Sequence, residues 1–544
     1  MSQQTGDQQK TADQSGPASS ANAGSANTSR PLLSPRPPLS EEVLINVGPG
    51  ETRVAIIEGG KPVDLIFERT MDDEKRVCTG RAGHSLIGNI FFGRVQRVLP
   101  GMQAAFVDVG LDRAGFLGAR EARCLCELTG LDEGTTPPIS TCVHEGQSIL
   151  VQAVKDPMGE KGARLSANVT LPGRLLVLVP NQSGVALSRR IEDEDERERL
   201  DELVGRMVRK FEACGVTGEP AGFIVRTAAI DASEEEIAED ARRLAEDWAR
   251  VREIQSRAAP PSIVFYDLDP VARTLRDCAG AQTKRILIDN AAAFAEAKRY
   301  CERAMPEMLD RLHLFNEPGA LFVEYDIDAE IDAALDPRVE LPSGGWLTIE
   351  TTEALTAIDI NSGKYTAATG LEETSARINV EAASVLAHQL RLRGTGGLIV
   401  IDFIHMNDPA NKQKVIDALE EGFAGDRVPL QILPMSEFGL VEMTRKRVRE
   451  PLEKLLTEPI ITYGRVRQKT SATIANEILR AIEREARRAP GKPLSVRAAP
   501  AVVKWLLNQG AGLTDRLRTQ IAGEIELTPE SSYEHERFDV CTRS

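Results

Sequence analysis

Residues 344–363 read GGWLTIETTEALTAIDINSG, and residues 397–406 read GLIVIDFIHM. Each stretch contains an apolar run that ends on an aspartate, Asp359 in the first and Asp402 in the second. Apolar runs of this length predict strands of a buried sheet. The helical pattern between them, at about 371–393, indicates an α/β arrangement. These stretches decide the fold class of the second half of the chain.

The two aspartates form a candidate metal site. Ligand sites of an α/β sheet gather at the carboxyl ends of its strands, so Asp359 and Asp402 on neighbouring strands would share one edge. Carboxylates are hard oxygen ligands suited to Mg²⁺. Asn361 lies two residues after Asp359, so it points to the same face and can contact metal, water or substrate. We expect His405 to be a neighbour rather than a ligand. The alternative is that strand-terminal aspartates only cap the next turn or helix, and the pattern leaves this open.

Composition excludes several classes of protein. The chain has 544 residues, a formal net charge of −16 and 42% hydrophobic residues. That length predicts several domains of about 100–200 residues each. No apolar run approaches the ~18 residues of a membrane-spanning helix, and the N-terminus lacks a secretory pattern. Eight cysteines are too sparse for a disulfide scaffold. We therefore expect a cytoplasmic protein without a membrane span. Its negative charge leaves room for a local basic groove.

The N-terminal region of the chain is organised as a leader followed by short strands. Residues 1–40 are rich in Ser, Gln, Ala, Asn, Gly and Pro, which predicts a disordered leader. Residues 41–69 alternate apolar and polar side chains around a Gly-Gly break, which indicates a hairpin. From Gly88 onward, short strands with frequent glycines predict a small barrel. Further along, Ser233 and Glu236 predict a capping box at the start of a long amphipathic helix.

The predicted barrel carries aromatic and basic residues. Phe106 and Phe116 lie on strand-like text, and aromatic side chains exposed among cations can stack on nucleobases. The basic residues in or beside those strands are Arg94, Arg97, Arg113 and Lys155. This chemistry suits single-stranded RNA, whose base faces are accessible, better than a duplex. The alternative is that both phenylalanines fill the barrel core, which the pattern alone favours.

Two further groups are weaker candidates. Arg226 with Thr227, and the pair Arg189–Arg190, combine charges or hydroxyls that can bind a terminal phosphate. Surface arginines more often form ordinary ion pairs. Four soft or borderline zinc ligands lie close in sequence, namely Cys124, Cys126, Cys142 and His144. Their spacings differ from the usual zinc motifs, so reduced, unpaired cysteines are favoured over a Zn²⁺ site.

Several longer motifs together resemble the ribonuclease E/G family. In chain order they are ETRVAIIEGG, GNIFFGRVQRVLPGMQAAFVDVG, LSRRIED, GFIVRTA, ILIDN, LTAIDINSG, LRLRGTGGLIVIDFI and FGLVEMTRKRVREPL. The likeness covers nearly everything from about 44 to 540. It implies a Mg²⁺-dependent endoribonuclease that cuts single-stranded, A/U-rich RNA, leaving 5′-phosphate and 3′-hydroxyl ends, and that often senses a 5′-monophosphate.

The resemblance also implies roles for individual residues. Asp359 and Asp402 match the metal-binding aspartates, and Asn361 matches the asparagine beside them. The RNA-binding face of the barrel is matched by Phe106, Phe116 and Lys155. The 5′-phosphate pocket is matched by Gly173, Val177, Arg226 and Thr227.

The implied architecture is an α/β multidomain protein in which an RNase H-like domain is interrupted by an RNA-binding barrel of the oligonucleotide-binding (OB) fold. The expected divisions are the leader (1–40), the first segment of the RNase H-like domain (41–85), the OB-fold barrel (86–167), the 5′-sensor domain (168–271), the second segment of the RNase H-like domain (272–334), a deoxyribonuclease-I-like catalytic domain (335–456), a linker (457–469) and a small C-terminal domain (470–544).

The chain departs from the family pattern in two places. Family members commonly carry Cys-x-x-Cys after the catalytic domain, where paired chains share one Zn²⁺, but residues 455–469 contain no cysteine. This puts Zn²⁺ and the zinc-linked dimer in doubt, whereas a homo-oligomer through the C-terminal domain stays open. Pro429 stands where some relatives have an arginine that supports the 5′ sensor. The long scaffold tail that some relatives use to assemble a degradosome is not evident.

The function expected from these residues is single-stranded RNA cleavage in ribosomal RNA maturation, messenger RNA decay or both. The alternative is a non-catalytic RNA-binding regulator that retains the fold. The presence of Asp359, Asn361 and Asp402 favours the enzyme.

Overall fold

The computed structural model describes residues 40–69, 85–126, 135–157, 161–180, 182–214, 221–317, 319–363, 370–460 and 467–543. The expected disordered leader lies, apart from residue 40, outside the described residues.

The described chain is a mixed α/β protein. Its first strands are β1 Glu41–Val47, β2 Glu51–Glu58, β3 Lys61–Arg69, β4 Ile90–Leu99, β5 Ala104–Asp108, β6 Gly115–Gly118, β7 Ser148–Lys155, β8 Arg164–Ser166, β9 Leu171–Pro172, β10 Leu176–Pro180, β11 Val185–Leu187, β12 Ala221–Val225 and β13 Ser262–Phe265. The later strands are β14 Thr283–Ile288, β15 Leu312–Leu314, β16 Arg338–Glu340, β17 Trp346–Thr351, β18 Leu355–Asn361, β19 Gly397–Asp402, β20 Leu430–Ile432, β21 Leu440–Arg445, β22 Thr457–Pro459, β23 Arg467–Lys469, β24 Leu494–Ala498, β25 Ile525–Pro529 and β26 Phe538–Thr542. The helices are α1 Glu194–Cys214, α2 Glu234–Arg257, α3 Pro270–Cys278, α4 Ala291–Ala304, α5 Leu321–Glu324, α6 Ile327–Leu335, α7 Leu371–Leu392, α8 Pro409–Gly422, α9 Leu452–Leu456, α10 Ser471–Arg488, α11 Pro500–Leu507 and α12 Ala511–Ile521.

The first sheet combines two distant segments of the chain. Its strand order is β15-β14-β1-β2-β3, and β1 runs parallel to β14. The predicted hairpin between β2 and β3 is confirmed, because Gly59 and Gly60 both have positive φ, at 58° and 82°. A two-residue turn with positive φ at both positions matches the twist of the flanking strands, and glycine adopts it without steric cost.

The predicted barrel is also confirmed. Strands β4, β5, β6, β8 and β7 pair in that order, and a further pairing of β4 with β7 closes the ring, while β13 adds to β4. The barrel interior is filled by apolar side chains, among them Phe91, Leu117 and Leu165, each 0% exposed. Closure leaves the side chains that alternate with these on the outer surface.

A four-stranded sheet, β11-β12-β10-β9, follows the barrel, and its core includes Trp248 of α2. Helix α2 begins with the predicted capping box: the Glu236 amide donates to Ser233 Oγ at 3.2 Å, and the Ser233 amide donates to Glu236 Oε2 at 2.8 Å. Within the described ranges, every helix is too short or too polar to cross a lipid bilayer.

The sheet that carries the candidate catalytic residues has the order β16-β17-β18-β19-β21-β20. Helices α7 and α8 supply Leu386, Leu390 and Leu419 to its core, all 0% exposed, so one face of the sheet is covered and the other is open. The remaining sheet, β25-β24-β26, packs with α10 and α11. Residues 457–469, which we expected to be a linker, contain the paired strands β22 and β23.

Candidate functional site

Asp359 and Asp402 lie side by side on two neighbouring strands. β18 and β19 run parallel, and their register pairs Asp359 with Asp402. Adjacent strands are about 4.8 Å apart. The two carboxylates therefore lie next to each other, at the same level of the sheet, near the carboxyl ends of both strands. The placement predicted from the strand pattern is confirmed, whereas the role of the two carboxylates stays a prediction.

Alternation along β18 explains why these side chains reach solvent. Ile358 and Ile360 are 2% and 5% exposed in the core of the sheet, so the residues between and after them must face the other way. Asp359 is exposed and Asn361 is half-buried on that open face. The Asn361 Nδ2 donates to Asp359 Oδ2 at 2.8 Å, which orients the carboxylate.

The open face carries further side chains that sequence reasoning missed. Thr348 of β17 pairs with Asp359, and Trp346 pairs with Asn361. Glu442 of β21 is exposed and lies opposite Val400, two residues before Asp402 on β19. The alternation in WLTIET and LVEMTR was a usable signal for the direction of these side chains, but not for which strands lie next to β18 and β19.

The donor set fits Mg²⁺. Asp359 and Asp402 form no ion pair within the described part of the chain, and no group of three or more His, Cys, Asp or Glu side chains there is arranged to hold a metal. Mg²⁺ is commonly bound by one or two carboxylates together with waters and substrate phosphate oxygens. Two exposed carboxylates side by side, without a cationic partner, therefore suit this ion. They would also repel an RNA phosphate unless a cation intervened.

The segment after β19 is fixed by helix α7. The amides of Asn407 and Asp408 both donate to Glu372 Oε1 at 3.0 Å. His405 is exposed, and its Nε2 lies 3.2 Å from Asn407 Oδ1. His405 is thus a neighbour of Asp402 in sequence, and its ring contacts Asn407 of the loop.

On the barrel, aromatic and basic side chains form one row across five strands. The register pairs Arg97 with Phe106, Phe106 with Phe116, Phe116 with Arg164, and Arg164 with Lys155. The two phenylalanine rings meet edge to face with centroids 6.0 Å apart. Both are half-buried, and neither belongs to the barrel core, so the core-filling alternative is wrong. Arg164 was not expected, because only the register places it between Phe116 and Lys155.

The predicted 5′-phosphate residues partly converge. Arg226 Nη1 donates to the Gly173 carbonyl at 2.6 Å, and Arg226 Nη2 donates to Asp277 Oδ1 at 2.8 Å. Arg276 Nη2 donates to the other oxygen of Asp277 at 2.9 Å. Burial opposes ionisation of Asp277, but hydrogen bonds and charges from the two arginines outweigh it and lower its pKa. Asp277 therefore stays anionic between them.

A buried carboxylate shapes the loop at Gly173. The amides of Leu175 and Leu176 donate to Asp240 Oδ2 at 2.9 and 3.0 Å. A Cβ at Gly173 would lie 2.6 Å from the same oxygen, so the close approach requires glycine. Val177 follows on β10, and Thr227 begins a short 3-10 turn directly after Arg226.

Of the pair Arg189–Arg190, which was also a candidate for binding phosphate, Arg190 contacts the backbone of a distant loop. Arg190 Nη2 donates to the Asp426 carbonyl at 2.7 Å, which ties the sheet that follows the barrel to the loop before β20. Arg189 is exposed. Pro429 is exposed and its carbonyl accepts the Lys446 amide at 2.9 Å.

The soft ligands near residue 124 differ in their exposure. Cys124 is exposed, Cys126 is half-buried and Cys142 is buried, and they belong to no metal-binding group among the described residues. The Cys142 thiol donates to the Pro138 carbonyl at 3.6 Å.

The described chain thus combines a closed barrel that has an aromatic and cationic outer row with a sheet that has paired carboxylates on its open face. The sequence profile of the Ribonuclease E/G family matches residues 170–448. Ribonuclease G of Salmonella typhimurium (strain SL1344) is 40% identical over 506 residues, covering 92% of this chain and 99% of that protein. Ribonuclease G of Haemophilus influenzae is 41% identical over 504 residues, again covering 92% of this chain and 99% of the relative. Ribonuclease E of the same organism is 34% identical over 495 residues, covering 90% of this chain and 50% of that protein. The chain belongs to the ribonuclease E/G family.

Proposed function

We propose that this protein is a Mg²⁺-dependent endoribonuclease that cleaves single-stranded, A/U-rich RNA and leaves 5′-phosphate and 3′-hydroxyl ends. Family membership supports an endoribonuclease acting in RNA processing. The observation that carries the proposal is the register of Asp359 beside Asp402 on the open face of the sheet.

In this proposal Asp359 and Asp402 hold the Mg²⁺, and Asn361 keeps the Asp359 carboxylate in one orientation through its 2.8 Å hydrogen bond. The bound ion supplies charge neutralisation and Lewis acidity at the scissile phosphate. In-line attack of water on phosphorus, with departure of the 3′-oxygen, produces one 5′-phosphate and one 3′-hydroxyl end. The open face gives a single strand access without unwinding a duplex.

The barrel row is the proposed RNA-binding surface. Phe106 and Phe116 offer ring edges and faces to bases, while Arg97, Arg164 and Lys155 lie on either side of them to contact phosphates. Stacking on aromatic side chains tolerates any base but requires it to be unpaired. This supports single-stranded RNA as the substrate.

Arg226 is the proposed contact for a 5′-monophosphate, with Gly173, Val177 and Thr227 around it. The short distance from Arg226 to Asp277 holds the guanidinium in place. Pro429 offers no cation, but Arg427, two residues earlier, donates to the Cys278 carbonyl at 3.1 Å, next to Asp277. A cation therefore still lies beside this group of residues.

We also propose that the domain names implied by the resemblance apply to the described sheets. The first sheet corresponds to the RNase H-like domain, the closed ring to the OB-fold barrel, and the β16–β21 sheet to the deoxyribonuclease-I-like catalytic domain. The biological setting proposed is ribosomal RNA maturation, messenger RNA decay or both, in the cytoplasm.

The test uses purified protein, Mg²⁺ and a labelled A/U-rich oligoribonucleotide that carries either a 5′-monophosphate or a 5′-hydroxyl. The expected result is internal cleavage that stops on chelation and leaves 5′-phosphate ends. Faster cleavage of the monophosphorylated RNA would support the sensor, and equal rates would contradict it. Tight binding without cleavage would refute the enzyme and favour a non-catalytic RNA-binding regulator.

A further inference from the structure

Phe438 is the most exposed large apolar side chain of the described residues. It is 87% exposed, compared with 43% for Leu433 in the same loop. Exposing a whole aromatic ring forfeits the apolar burial that a phenylalanine normally contributes to stability. A single ring is also far smaller than the ~800 Å² per partner of a stable protein interface. An isolated ring of this kind matches one planar ligand group better than a protein surface.

The backbone that presents Phe438 is fixed. The Gly439 amide donates to the Ser436 carbonyl at 3.1 Å, and the Ser436 amide donates to the Leu440 carbonyl at 2.8 Å. The Leu440 amide also donates to Ser436 Oγ at 3.2 Å. Gly439 has φ of +86°, a conformation that only glycine adopts readily. The ring is therefore held outward by a closed turn and does not depend on a flexible tail.

This turn adjoins the paired carboxylates. β21 is antiparallel to β19, and the register pairs Leu440 with Asp402. Residues before Leu440 therefore lie beyond the carboxyl end of β19, at the edge where Asp359 and Asp402 meet. Phe438 precedes Leu440 by two residues, so it borders the position at which the scissile phosphate would lie.

Trp346 is the aromatic residue on the other side of the two carboxylates, and its ring already has a cationic partner. Trp346 pairs with Asn361 on β18, and the Arg338 guanidinium lies 4.3 Å from the centroid of its ring. No aromatic or cationic side chain of the described residues covers Phe438 in this way. Unlike the ring of Trp346, the ring of Phe438 is therefore available for stacking.

We propose that Phe438 stacks on the nucleobase next to the scissile phosphate and so positions single-stranded RNA for cleavage. This inference rests on the proposed function. The ligand is an unpaired base of the substrate, because a π face beside a phosphate site is the chemistry that single-stranded RNA presents. Phe438 acts as a positioning residue and does not take part in bond making.

The test begins with mapping the cleavage site of the wild-type protein on one defined oligoribonucleotide. Phe438→Ala and Phe438→Leu are then expected to lose about tenfold in kcat/KM, while Phe438→Tyr and Phe438→Trp retain it. Leucine keeps the apolar volume but lacks the π face, so it separates stacking from simple apolar contact. Leu507→Ala is the matched control, since Leu507 is 56% exposed in the C-terminal region of the chain.

A second measurement replaces the base on each side of the cut with an abasic ribose. The wild-type protein should cleave the RNA that is abasic at one of these two positions more slowly, by a factor similar to the loss in Phe438→Ala. The same abasic RNA should cause no further loss of rate in Phe438→Ala, because the substitution and the missing base remove the same contact. Equal rates for wild type and Phe438→Leu, or additive effects of the two changes, would overturn the inference. So would a change of oligomeric state in Phe438→Ala, which would assign the ring to a second copy of the chain. Failure of the wild-type protein to cleave would instead refute the proposed function.

Discussion

Replacing Asp402 with asparagine separates catalysis from stability and from RNA binding. The substitution is nearly isosteric, and Asp402 is exposed on the open face, so no core contact is lost. It removes one of the two charges proposed to hold Mg²⁺. Loss of one preorganised charge at a reacting centre typically costs about 10²–10³-fold in rate, and we expect at least this loss in kcat.

For the same substitution, Asp402→Asn, the structure predicts that thermal stability does not fall although cleavage does. Asp359 and Asp402 are side by side on strands about 4.8 Å apart, and two like charges at that distance in water repel by about 1 kcal/mol. Asp402→Asn relieves this repulsion, so its thermal midpoint should equal or slightly exceed that of the wild type. Binding of RNA without Mg²⁺ should also be equal or tighter, because a negative charge leaves a face that a polyanion approaches.

The assay combines single-turnover cleavage, RNA binding by fluorescence anisotropy in chelator, and thermal unfolding. Glu524→Gln is the control: it makes the same change of charge at an exposed residue of the C-terminal region of the chain. Cleavage by Asp402→Asn within tenfold of the wild type would refute the metal assignment. A lowered thermal midpoint would refute the argument from like-charge repulsion.

Three further predictions concern residues away from the open face. Asp277→Asn should release Arg226 and reduce the preference for a 5′-monophosphate about tenfold, measured as the ratio of cleavage rates on the two substrates. Asp426→Ala should cost about 3–5 kcal/mol in unfolding free energy. It removes the hydrogen bonds from Arg445 Nε and Nη2 to the Asp426 carboxylate, at 2.7 and 3.2 Å, and leaves the buried Arg445 without a charged partner. A denaturant midpoint equal to that of the wild type would contradict this prediction. Burial raises the pKa of Glu483 from 4.5 to about 7, so its contribution to stability is fully present below pH 4.5 and is lost as the pH rises through about 7. Glu483→Gln should therefore flatten the decline in thermal midpoint between these pH values, and an unchanged pH profile would count against the assignment.

Much of the local structure follows from short stretches of sequence. The alternation in LTAIDIN places Asp359 and Asn361 on one face of a strand and the isoleucines on the other, as the structure shows. The Gly-Gly turn and the capping box were equally predictable, because the groups that stabilise them are within three residues of one another. These features depend on the direction of each side chain relative to its own backbone, which the chain determines locally.

The assembly of the sites required the tertiary structure. Sequence alone does not state that β18 lies beside β19 in a register that pairs Asp359 with Asp402, nor that β21 brings Glu442 and the Phe438 turn to the same edge. The same holds for Arg164 on the barrel, which is 48 residues from Phe116 in sequence and adjacent to it in the sheet.

The physical reason is that strand order and register are set by packing between segments far apart in the chain. A one-residue shift in register moves a side chain to the other face of the sheet, and the buried cores of all the sheets decide which register is stable. The sequence by itself therefore determined which residues can carry the chemistry and which way they point from their own strands. Only the tertiary structure decided which of them meet.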